Sequence, residues 1–142
     1  MENLIHVSVS GCPANFLIGR LTFLGFRYTL ACILHSRAGN LYGRMMMHKL
    51  MLMDTNHADN ISSREFTYFT NHFSPVLRGF LLSPLDEGML LPQQSKELYY
   101  LLKHLLDQRS LLGCTEEFHE YLGWFMQCLL YSYQKERILY WS

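Results

Sequence analysis

The stretch Thr115 to Arg137, TEEFHEYLGWFMQCLLYSYQKER, most limits what this chain can become. Phe118, Leu122, Phe125, Leu129 and Tyr133 recur at spacings of three and four, which is the stripe of a helix with one buried face. Thr115 is suited to accept a hydrogen bond from a first-turn amide. Glu116 and Glu117 put negative charge at the positive end of the helix dipole, and Lys135 and Arg137 put positive charge at the other. Trp124, Met126 and Leu130 lie off the stripe. The helix is therefore apolar on more than half of its circumference, and it is expected either to be central or to have two partners. Trp124, Leu130 and Tyr131 are the candidate partner interface.

A leucine-striped segment precedes it. Pro92 to Gln108 carries Leu98, Leu101, Leu102 and Leu105 at helical spacing, and Gly113 follows as a stop signal. A short connection between two long helices predicts an antiparallel pair, about 92–108 and 115–137. Further back, Ser62 and Glu65 have the spacing of a capping box, with Ile61 and Phe66 at the staple positions. Ser74-Pro75 starts another helical turn, with the serine as cap and proline first inside. The chain from 61 to 142 thus reads as helical, with Ile138 to Trp141 as an apolar tail that should dock.

The first 55 residues read as strand-rich. In Asn3 to Ser10, Ile5, Val7 and Val9 alternate with Leu4, His6, Ser8 and Ser10, giving a strand with one polar face, closed by Gly11-Cys12-Pro13. Phe16 to Leu24 fits strand or helix. Phe26 to His35 alternates, Ser36 to Asn40 contains turn residues, and Tyr42 to Met53 returns. This predicts a β-hairpin over about 26–53. The expectation is one α+β domain over 1–142, with N-terminal antiparallel strands packed by a helical half.

Twelve basic and twelve acidic side chains balance to zero net charge, which argues against direct nucleic-acid binding. Ala14 to Leu34 is apolar, but Arg20 and Arg27 interrupt it at roughly 2.5–3.5 kcal/mol each at a bilayer centre, so no membrane span is expected. Four dispersed cysteines without a CxxC, and no signal peptide, point to reduced thiols and a cytoplasmic protein. Seven histidines share no helical metal-pair spacing, and phosphate-loop and nucleophile motifs are missing, so no metal, cofactor or catalytic residue is assigned. His119 between Glu116 and Glu120 is the nearest approach to an acid–base pair. Its simpler account is a solvated first turn.

The order of parts over 84–142 (loop, leucine-striped helix, short gap, second long helix, exit) resembles the dimerisation helices of AraC-type sensor domains. The resemblance covers roughly the last third of the chain. It implies a homodimer through the helix pair; no helix-turn-helix follows, and the first half has no jelly-roll pattern. The function expected from the sequence is a non-enzymatic regulatory or adaptor module that binds a protein partner or itself. The alternative is a small apolar-ligand sensor, with a pocket of Met45, Met47 and Met51 against Phe66, Phe69 and Phe73, since methionine-rich surfaces accept varied apolar partners. An enzyme with no recognisable motif is the third reading.

Overall fold

The computed structural model describes residues 3–52, 61–107 and 113–142, with side chains for all of these except 47–52 and 105. The elements in chain order are β1 (Leu4–Val9), β2 (Phe16–Gly19), α1 (Arg20–Leu34), α2 (Ser36–Leu52), α3 (Ser63–His72), α4 (Pro75–Leu82), β3 (Gly88–Leu90), α5 (Pro92–Asp107), α6 (Glu116–Lys135) and β4 (Leu139–Trp141). The strands form one antiparallel sheet in the order β2-β1-β4-β3. The class is α+β, and the N-terminal hairpin is β1–β2. Among the described residues, no helix is long and apolar enough to cross a membrane.

One face of the sheet is buried. Ile5, Val7 and Val9 of β1, Phe16 and Ile18 of β2, Leu90 of β3, and Leu139 and Trp141 of β4 all point into the core. Helices α1 and α6 pack on that face; Phe26 of α1 meets Phe118 and Phe125 of α6, and Phe23 meets Trp141. Further out, α2 packs on α1 and α3 on α2, while α5 packs on α6. Ser132 near the end of α6 donates to Ser95 in the first turn of α5 at 2.8 Å, so the start of one helix meets the end of the other and the pair is antiparallel. The apolar tail docks as β4, between β1 and β3, so residues from the two ends of the chain pair inside one sheet. The helix pair is therefore flanked by a strand on each side, where the AraC-type order has a loop and an exit.

Local signals at the helix starts are realised. Ser62 accepts from the Glu65 amide, and Glu65 accepts from the Ser62 amide, closing the capping box. The Ser62 amide, with Arg44 beside it, holds the Glu65 carboxyl below its ordinary range. Ser74 and Thr115 accept from Leu77 and Phe118.

The hairpin expected over 26–53 does not form. That region is helical from Arg20 to Leu52, so the half read as strand-rich contains strand only at 4–9 and 16–19. The alternation in 26–34 arose because nearly every residue there is apolar. The buried set is Phe23, Leu24, Phe26, Arg27, Leu30, Ala31 and Leu34, which follows a helical period. α1 has no side-chain cap, no first-turn acid and no last-turn base, so burial rather than local propensity makes it a helix. Ser36 to Asn40, read as a turn, is the first turn of α2. His35 ends α1 through its amide on Ala31 and starts α2 by accepting the Ala38 amide on Nδ1 at 3.2 Å.

Gly39, expected in a turn, and Gly43 lie where α2 crosses α1. A Cβ on Gly39 would lie 2.5 Å from the Cys32 backbone, and one on Gly43 would lie 2.3 Å from the Tyr28 ring. Gly25, also helical, has open space around it. Gly39→Ala should therefore cost about 1–3 kcal/mol through overpacking, whereas Gly25→Ala should gain roughly 0.5–1 kcal/mol from helix propensity. Urea unfolding of the two variants checks this. Equal gains for both would rule out the close α1–α2 crossing.

Candidate functional site

Strand alternation puts Leu4, His6 and Ser8 of β1, Leu17 of β2, Met89 of β3 and Tyr140 of β4 on the face opposite the helices. Leu4 and Leu17 are each 56% exposed, Met89 53% and Tyr140 48%. The register pairs His6 with Leu17 and sets Tyr140 between Ser8 and Met89. The apolar groups thus form two lobes, Leu4 with Leu17 and Tyr140 with Met89, separated by a strip of His6 and Ser8. None of these outward positions carries a formal charge. That is unusual for a solvated sheet face, where alternating polar residues normally cover the outside. From sequence alone the outer side of β1 is expected to be polar. Leu4 was the visible exception, and Leu17 sat in the segment of ambiguous period.

Behind the sheet lies a buried guanidinium. Arg27 has no solvent exposure. It donates to the backbone oxygens of Leu81, Ser83 and Pro84 and to Ser83 Oγ, at 2.7–3.4 Å. Its flat cation sits 4.5 Å from the Phe23 ring centre and 4.9 Å from that of Phe80, with Trp141 near by. It therefore caps the carbonyl end of α4 from the neighbouring helix. Burial lowers its pKa and pushes the Tyr42 hydroxyl up to about 12; each group partly offsets the other's shift. Among the described residues Arg27 Nε and Tyr42 Oη make no hydrogen bond of ordinary geometry. Three acceptor carbonyls and a serine hydroxyl, aromatic walls and full burial make this a structural cation site. Its only sequence signal was one of the two arginines that interrupt the apolar run 14–34.

The residues singled out from sequence are dispersed. Trp124 is exposed and stands against Tyr121 and Phe16 at the β2 side of α6. Leu130 is half-buried. Tyr131 is also half-buried, packs on the core, and has its hydroxyl against Gly11. Trp124, Leu130 and Tyr131 therefore do not make one uniform exposed patch. Met45, Phe69 and Phe73 are core residues where α2 meets α3, and Phe66 lies at the surface against Phe69. Met47 and Met51 fall on the last turns of α2, outside the described side chains, and α2 is a helix where a methionine strand was expected. A cleft of about 150 Å³ lies elsewhere, lined by Val76, Phe80, Ser83, Met89, Leu90 and Trp141 among others.

Groups capable of chemistry are sparse. His119 is exposed, and its side chain contacts the Phe118 ring; no hydrogen bond or ion pair joins it to Glu116 or Glu120 among the described residues. The rings of His35 and His72, far apart in sequence, meet at a tilt with centroids 4.4 Å apart, and Tyr68 stacks on His72 at 4.0 Å. His72 Nδ1 donates to the Tyr68 carbonyl, and the Arg37 guanidinium covers the Tyr68 ring. This cluster clamps the α1–α2 junction to α3. No group of three histidine, cysteine or carboxylate side chains converges among the described residues. Comparison with protein-family models, with curated proteins and with solved structures finds no match for this chain.

Proposed function

We propose that this protein is a non-enzymatic interaction module of regulatory or adaptor type, and that it works as a homodimer through the uncovered face of its sheet. The observation that carries this reading is the pair of uncharged apolar lobes on either side of the His6–Ser8 strip. A two-fold axis lying in this face sets the apolar side chains of one copy against those of the other. A two-fold interface needs this self-complementarity. A second copy also suits the charge: the outward strand positions carry none, and the chain's net charge is zero, so two copies do not repel.

Sedimentation velocity over a concentration series tests it. The native protein should sediment as a dimer. Leu17→Lys and Tyr140→Lys should each give monomer with unchanged far-UV circular dichroism, because both side chains are already about half exposed. A native monomer throughout, or dimers that survive both substitutions, would defeat the proposal. If Trp124→Ala with Leu130→Ala dissociates the dimer while the sheet variants do not, the interface belongs to α6.

A further inference from the structure

We propose that Cys12 and Cys128 form a hydroperoxide-responsive thiol pair, closing a disulfide that staples the β1–β2 turn to α6. The turn is held in shape around Cys12. Gly11 adopts φ 82, the Cys12 amide donates to Val9, and the Asn15 side chain bonds both the amide and the carbonyl of Val9. Arg137 Nη1 donates to the Ser10 carbonyl from the other side at 2.7 Å. The two sulfurs meet at one residue. Cys12 Sγ accepts the Ala14 amide at 3.4 Å, and Cys128 Sγ donates to the Ala14 carbonyl at 3.5 Å.

The two thiols have different environments. Cys12 lies on a surface turn and keeps 8% exposure, whereas Cys128, on the buried side of α6, has none. Burial, with the neighbouring Cys12, pushes the Cys128 thiol up to about 12. Cys128 therefore stays protonated near neutral pH, and Cys12 is the sulfur that a small oxidant reaches first. The Cys12 thiolate attacks one peroxide oxygen; the O–O bond breaks, and the leaving oxygen departs as hydroxide and becomes water. Cys12 is now a sulfenic acid. Cys128 sulfur then attacks Cys12 sulfur, its proton goes to the departing hydroxyl, and a second water leaves. Overall two thiols and one hydrogen peroxide give one disulfide and two waters; an organic hydroperoxide would leave as its alcohol in place of the first water. Cys32 contacts Asn40 instead of another thiol, and Cys114 is half-buried at the start of α6.

The test is limiting hydrogen peroxide on the full native chain, followed by alkylation of remaining thiols and peptide mapping. The expected result is loss of two of the four thiols, a cross-linked peptide pair containing Cys12 and Cys128, and full alkylation of Cys32 and Cys114. Thioredoxin or dithiothreitol should restore all four. In Cys12→Ser, Cys128 should remain alkylatable at the same peroxide dose. Oxidation of Cys32 or Cys114 with Cys12 and Cys128 both still alkylated would overturn the proposal. So would Cys12 accumulating as sulfinic acid beside a reduced Cys128. The map of the native chain decides the matter even if the serine variant does not fold, and it is independent of whether the protein dimerises.

Discussion

Replacing Arg27 with methionine should destabilise the protein by about 3 kcal/mol, because it strands buried carbonyls that cost roughly 1–3 kcal/mol each when unpaired. Two terms oppose one another. Removing the guanidinium relieves a costly burial, seen in its lowered pKa. Against this, the oxygens of Leu81 and Ser83 lose their Arg27 donor where water does not easily reach, Pro84 keeps only its bond from Trp141, and the cation–aromatic contacts with Phe23 and Phe80 are lost. With four hydrogen bonds made by one side chain, the second term is expected to win. Arg27→Lys should do no better than methionine, since an ammonium lacks the planar fork that spans the separate acceptors. Urea denaturation at neutral pH measures both. A methionine variant as stable as the native protein would mean that the buried cation serves something other than stability.

Trp141→Ala should cost about 3–5 kcal/mol, the range for truncating a buried large aromatic. Trp141 is 2% exposed, packs edge-on against Phe23 and Phe80, donates from Nε1 to Pro84, and leaves Gly88 no room for a Cβ. A loss of that size is a large part of the stability of an ordinary domain. Deleting residues 138–142 should go further and abolish cooperative unfolding. β4 joins β1 to β3, so without it β3 has no pairing strand. Loss of near-UV circular dichroism and of a sharp thermal transition is the expected readout. A truncated chain that still melts cooperatively would show that the helices carry the fold without the closed sheet.

Signals confined to a few neighbouring residues were legible in the sequence. The Ser62–Glu65 box, the Ser74-Pro75 start and the Thr115 cap all depend on bonds spanning three residues, and all are formed. β1 was legible because its two faces differ in polarity, and α5 and α6 because each stripe is long enough to exclude a period of two. α1 and α2 were not. In 20–34 apolar residues are too dense for either period to stand out, and the two glycines at 39 and 43 have the same spelling whether they turn the chain or let helices touch. Of the candidate surface, Leu4 was visible as an apolar residue on an otherwise polar face and Tyr140 as part of a docking tail. Leu17 lay in an undecided segment, and nothing local marked Met89.

The sequence by itself determined where most helices start, that the class is α+β, and that the last five residues had to find a partner. Its means were capping chemistry, hydrophobic period and the cost of leaving a tryptophan in water. Tertiary structure alone decided that 20–52 is helical, that β4 enters between β1 and β3, that Arg27 is buried, and which face of the sheet stays uncovered. These outcomes depend on contacts between residues more than fifty positions apart, such as Arg27 with Ser83 and Cys128 with Ala14. Such contacts leave no periodic trace in the chain, because each joins segments whose spacing is set by the fold.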